Sequence, residues 1–273
     1  MKTVFGSALI CLFCYWSLLQ FSAKSLTVYT QSQNQRNLHV IESFLFAEKA
    51  YDFVFAGTSL TQRIDFSKCS RSVFNCSLAG ESSLTALGIV SASGKTPKKV
   101  FVEINFAEKD LNASLVKKRY SRVPLLSSLF LTKNIPINFF LTQKNRFQNT
   151  TRYDRVNESV FVPMLEKETR RFSSPMEAAV LNQRIVAYRE IVQTLEARGV
   201  AVVFYEMPVH PTLQGSVRAE QLRSEFRRNF PNNRVMDAQS IFKGKKVHTK
   251  DGLHLLRSEI DLVMPEIEAM LSS

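Results

Sequence analysis

Several common signals are missing from these 273 residues. There is no G-x-x-x-x-G-K phosphate loop, and no cluster of His, Cys and acidic residues has zinc-ligand spacing. The usual sequence support for nucleotide hydrolysis and for a resident metal is therefore absent, and no cofactor is expected. No internal repeat or low-complexity tract occurs, which excludes a repeat array or a biased linker protein. Cysteine is scarce, at four residues. Cys11 and Cys14 lie in an apolar N-terminal run, so only Cys69 and Cys76 remain for a bridge in the body. Residues 72–77 read as a strand, so that bridge requires the chain to fold back between them. Acidic residues are also short, with 24 Asp and Glu against 36 Lys and Arg, a net charge of +12. What is present is an ordinary globular balance of 45% apolar and 22% charged residues, enough for one large domain with a sizeable core.

The positive charge is concentrated. Between Lys117 and Arg171 twelve Lys and Arg stand against Asp154, Glu158, Glu166 and Glu168, so this stretch alone carries +8. Such a surface favours a polyanion: an anionic glycan, an anionic lipid surface or nucleic acid. It is equally readable as a solvated face with no specific partner. The N-terminus reads differently. Residues 4–21, "VFGSALICLFCYWSLLQF", carry no charge and are flanked by Lys2 and Lys24. At helical rise they span roughly 27 Å, close to a bilayer core. The best cleavage site, after Ala23, has Phe21 where a small residue is wanted. Residues 1–24 are therefore read as an uncleaved anchor in preference to a cleaved signal. Either way residues 25–273 are exported, and export argues against nucleic acid as partner. N-x-S/T sequons at Asn75, Asn112, Asn149 and Asn157 are too common by chance to name a compartment.

Five short runs rich in Val, Phe and Ile follow: "DFVFAG", "SVFNCS", "KVFVEIN", "VAVVFYEMP" and "NRVMDA". Helical patterns separate most of them, among them "ESSLTALGIVSAS" and "MEAAVLNQRIVAYREIVQTLEARG", which stops at Gly199. Alternating strands and helices predict an α/β fold, a three-layer α/β/α sandwich around a mostly parallel five-stranded sheet. Residues 110–175 do not fit a regular βα unit and read as a basic insertion or cap, serving either as cover or in substrate capture.

The ends of the strands carry the chemistry-bearing residues. Ser59 follows the first strand in "GTS". Gly80 follows the second in "NCSLAGES", Asn105 ends the third, and "DGLH" near the C-terminus supplies Asp251 and His254. All fall at the carboxyl edge of a parallel sheet, where open α/β folds bind ligands. A serine hydroxyl is a weak nucleophile until a base takes its proton, and His254 can serve. The imidazole needs an orienting carboxylate, and Asp251, three residues earlier, can reach it through one tight turn. An oxyanion needs donors in place, which the Ser59 amide, the Gly80 amide and the Asn105 side chain could supply. Each residue has a plainer reading as a helix cap or turn; their order along the chain is what unites them. His210 is read as a loop histidine, and Asp237 and His248 as structural.

The set resembles the SGNH/GDSL hydrolase superfamily, whose blocks are a G-x-S nucleophile, a glycine, an asparagine and D-x-x-H, in that chain order. Here they are Gly57–Ser59, Gly80, Asn105 and Asp251–His254. The likeness covers about residues 50–112 and 175–271. Thr58 stands where G-D-S has aspartate. In "EINF" Glu103 and Phe106 replace the glycine and aspartate of G-x-N-D. These departures are nearer to the cell-surface, glycan-modifying branches. The resemblance implies a flavodoxin-like sheet and a serine esterase or O-acyltransferase. Its implied substrate is an acyl, chiefly acetyl, ester of a cell-envelope or extracellular polysaccharide, met in the periplasm or at the outer surface. The alternative is a catalytically degenerate scaffold acting as a binding module in polysaccharide assembly, recruiting through the basic segment.

Overall fold

The computed structural model describes residues 6–7, 10–15, 17, 30–117, 131–146, 156, 158–243, 245 and 247–272. The chain divides into two compact units. One comprises Met1–Glu42 and Arg119–Thr150, and the other Ser43–Lys118 and Thr151–Ser273. Of the 110–175 stretch, residues 119–150 fall in the first unit, and residues 110–118 and 151–175 in the unit that holds the sheet.

That second unit contains five strands: β1 (Phe53–Ala56), β2 (Val73–Asn75), β3 (Lys99–Glu103), β4 (Ala201–Tyr205) and β5 (Arg234–Met236). All pair in parallel in the order β2-β1-β3-β4-β5. The sheet is buried on both faces, which is why its strands read as near-continuous apolar runs. The period of two sorts them. Phe55, Phe101 and Tyr205 share one face, with Phe55 stacked on Phe101 at 4.7 Å and edge-on to Tyr205 at 5.5 Å. Leu60, Phe66 and the C-terminal helix Arg257–Ser272, through Ile260, Val263 and Ile267, complete that cluster. Phe204 points to the other face, where it meets Tyr188 of helix Ala178–Glu196 and Phe226 of helix Val217–Asn229. Helix Ser83–Ala92 is buried along almost its whole length, and Ser83 is bonded to the Tyr188 hydroxyl at 2.8 Å. The result is the three-layer α/β/α sandwich read from the sequence. The order reverses at β1, whose two neighbours are β2 and β3; the carboxyl ends of β1 and β3 therefore flank the crevice where such sheets place ligands.

The first unit includes helix Pro136–Arg146, and the first part of helix Gln33–Leu45. Glu42 accepts from both the amide and the hydroxyl of Thr132 (2.7 and 3.0 Å). Tyr15 donates to the Asn134 carbonyl at 2.6 Å and packs edge-on to Phe139. No helix among the described residues is long and apolar enough to cross a membrane. Half of the apolar run 4–21 lies outside the described residues, as do the backbones of Arg119, Arg122, Asn149, Arg152, Arg155 and Asn157. Cys69 and Cys76 are free thiols, and burial pushes the Cys76 thiol up to about 12.

Candidate active site

Ser59 is delivered by a tight corner. β1 ends at Ala56, Gly57 and Thr58 make the turn, and Ser59 opens the short helix Ser59–Gln62. Thr58 caps that helix, its hydroxyl accepting from the Leu60 amide at 3.3 Å. Gly57 is required by close approach, since a Cβ there would lie 2.7 Å from Glu103 Oε2 and 2.8 Å from the Thr61 Cβ.

His254 and Asp251 come from one small loop. Thr249 and Leu255 form an antiparallel bridge, and Lys250 N donates to the His254 carbonyl at 2.7 Å. At the tip Gly252 has φ +85, the left-handed region that favours glycine. Asp251 Oδ1 accepts from the amides of Leu253 (3.2 Å) and His254 (2.8 Å). Its other oxygen lies 2.7 Å from His254 Nδ1. His254 Nε2 is 2.8 Å from Ser59 Oγ, across 195 residues of sequence. A carboxylate can only accept, so Nδ1 carries the proton and Nε2 accepts from the serine hydroxyl. Burial alone would raise the Asp251 pKa. The bonds from the His254 ring, the His254 amide and the Leu253 amide outweigh it and hold the carboxyl at about 2. Asp251 is therefore a permanent anion, poised to stabilise an imidazolium.

The three oxyanion candidates sit on neighbouring strand ends. Leu78 N donates to the Gly57 carbonyl at 3.0 Å, which extends the β1–β2 ladder towards Gly80. Gly80 has φ +76. Among the described residues nothing accepts from the amides of Ser59 or Gly80. Asn105 is locked to the neighbouring strand end: Nδ2 donates to the Met207 carbonyl (2.9 Å), and Oδ1 accepts from the Met207 amide (2.7 Å). The second hydrogen of Nδ2 is left for an oxyanion.

Other histidines fall elsewhere. His248 Nδ1 lies 3.0 Å from Glu259, and Asp237 caps helix Ala238–Ile241 and pairs with Arg227. His210 caps helix Pro211–Gln214, and its amide donates to the Gly252 carbonyl, so it braces the histidine loop. No group of potential metal ligands occurs among the described residues.

Two features escape a reading by motif. Glu103, the last residue of β3, is fully buried and bonded to the turn that presents Ser59; its signal is a lone acid inside the apolar run "VFVEIN". The other is Arg171. It bridges Glu108 (2.5 Å) and Glu168 (3.3 Å) and lies 5.3 Å from the Phe106 ring. Arg184 adds a bond to the Glu108 carbonyl and a pair with Asp110. Through Arg171 on Glu108 and Phe106, and Phe172 edge-on to Phe106, helix Glu158–Phe172 is clamped to the loop that follows Asn105, while Arg184 ties helix Ala178–Glu196 to the same loop. Helix Glu158–Phe172 also places Leu165 against Gly252. Within the basic stretch Arg171 is thus engaged by two carboxylates, so at this residue the charge serves as cover for the sheet unit. Comparison of the chain with family models and with curated proteins found no match, so the case for the chemistry of this site rests on its own geometry.

Proposed function

We propose that the protein is a serine-dependent esterase or O-acyltransferase that works through an acyl-Ser59 intermediate. The single observation that carries this reading is the continuous line of hydrogen bonds from Ser59 through His254 to Asp251. In the first half-reaction His254 Nε2 takes the Ser59 proton as Oγ attacks the ester carbonyl, and the oxygen becomes an oxyanion. The amides of Ser59 and Gly80 and the free Asn105 hydrogen receive it. Collapse expels the alkoxide, which takes the proton back from His254, leaving acyl-Ser59. In the second half-reaction His254 deprotonates the acceptor. Water makes the protein an esterase; a sugar hydroxyl makes it an acyltransferase. The resemblance to SGNH hydrolases supports an acetyl ester of a cell-envelope or extracellular polysaccharide as substrate, and the basic stretch supports an anionic polymer or surface.

The test is turnover of p-nitrophenyl acetate by the purified full chain, with and without an acetyl-accepting glycan. Ser59→Ala and His254→Ala should each lower kcat by ~10³-fold or more while thermal melting stays cooperative. Hydrolysis at the wild-type rate by either folded variant would remove the triad. Acetyl transfer to the glycan in preference to water would identify a transferase, and glycan binding without turnover would favour the binding-module alternative.

A further inference from the structure

The carboxylate of Glu103 is buried directly beneath the nucleophile turn. In the β1–β3 register Ala56 pairs with Val102, so Glu103 stands beside Gly57 as the two strands end. Its carboxylate accepts four hydrogen bonds. They come from the Thr58 amide (3.0 Å), the Thr58 hydroxyl (2.6 Å), the Thr61 amide (3.3 Å) and the Thr61 hydroxyl (2.7 Å). The Thr61 hydroxyl spends its one proton on Glu103, so at 2.5 Å it accepts from the Tyr205 phenol. Tyr205 keeps that proton because burial, then the Glu103 charge, hold its pKa well above the ordinary value.

This network divides the amides of the turn. Thr58 and Thr61 give theirs to Glu103, and Leu60 gives its amide to the Thr58 hydroxyl. The Ser59 amide lies between them with no acceptor among the described residues. A four-residue helix on its own has too little cooperativity to hold Ser59 Oγ at 2.8 Å from His254. A fully buried anion with four donors is a rigid support, and moving it would leave charge unpaired in the core. Two of the three residues that depart from the G-D-S and G-x-N-D patterns, Thr58 and Glu103, are partners in this network at 2.6 Å.

We propose that Glu103 is a positioning residue for Ser59: its carboxylate fixes the Thr58–Thr61 turn so that the serine hydroxyl meets His254 and the serine amide is reserved for the oxyanion. The proposal rests on the reading of Ser59 as nucleophile, but its first test does not require turnover. Crystal structures of Glu103→Gln and Thr58→Val should show the Ser59 Oγ to His254 Nε2 contact lengthened beyond hydrogen-bonding distance. Thr58→Ser, which keeps the hydroxyl, should preserve it. On p-nitrophenyl acetate, Glu103→Gln and Thr58→Val should lose ~10–100-fold in kcat with KM within about twofold, and Thr58→Ser should retain wild-type kcat. A residue that only stabilises the fold would lower the melting temperature and leave kcat of the folded enzyme unchanged. An unchanged contact, or an unchanged kcat, in folded Glu103→Gln overturns the proposal. If Glu103→Gln does not fold, Thr58→Val decides by the same two readings. If the wild type proves inactive, the serine-ester reading fails, and the contact alone decides the positioning role.

Discussion

Asp251 shows how much of this site is decided by single side chains. Its carboxyl is held at about 2, against an ordinary 3.8, by bonds from the His254 ring and two amides. A folded pKa below the unfolded value stabilises the fold fully at pH above about 4. That contribution fades as pH falls towards 2. Asp251→Asn should therefore be less stable than wild type in urea at pH 6, with the gap closing between pH 4 and pH 2. A gap independent of pH would mean that the aspartate acts by shape alone. The same variant should lose up to ~10⁴-fold in kcat, because an asparagine no longer selects the tautomer that leaves Nε2 free. Asn105→Ala should cost about 10²–10³-fold if its spare hydrogen meets the oxyanion. Ser59, Asp251 and His254 were legible in the sequence because their determinants are local: a small-residue corner after an apolar run, and a three-residue spacing that one turn closes. Glu103 was not. Its meaning depends on the strand beside it, 45 residues away from Thr58, and no local pattern carries that neighbour.

Elements position these side chains, and glycine sets two of the joints. Gly57→Ala would drive a Cβ to 2.7 Å from Glu103 and 2.8 Å from Thr61. It should destabilise the fold by about 1–3 kcal/mol, read as a lower denaturant midpoint at unchanged slope. Helix Glu158–Phe172 is the less expected element. Its sequence lies in the aromatic, basic stretch that resists assignment to a βα unit. Yet Leu165 packs on Gly252, and Arg171 ties the helix to the loop after Asn105. The five strands were readable as apolar runs, because a sheet covered on both faces demands them, but their order was not. Nor was the seat of this helix, because it is fixed by a single arginine, Arg171, that pairs with Glu108 and lies over Phe106, contacts without periodicity. Arg171→Ala should therefore lower kcat on p-nitrophenyl acetate by about tenfold, a positional loss. Lys167→Glu and Arg170→Glu, at exposed positions on the same helix, should leave that rate within about twofold.

At the scale of the whole molecule the charge is lopsided, with +8 of the net +12 in Lys117–Arg171. Exposed charge acts by steering, which salt screens over about 8–10 Å. Lys167→Glu with Arg170→Glu should raise KM for an anionic acylated polymer several-fold and leave a neutral ester untouched. Added salt should do the same to the wild type. Kinetic titrations at low and high ionic strength decide, and equal losses on both substrates would end the steering idea. The histidine loop has another consequence, in time. Asp251 and His254 are made together, and Ser59 precedes His254 by 195 residues. At ~5–20 residues per second the ribosome delivers His254 roughly 10–40 s after Ser59. Throughout that interval the growing chain carries Ser59 without the imidazole that meets it in the finished fold. A single cut between the last strand and residue 249 would sever Asp251 and His254 together from the chain that carries Ser59, leaving only packing of the C-terminal helix to hold the three in line.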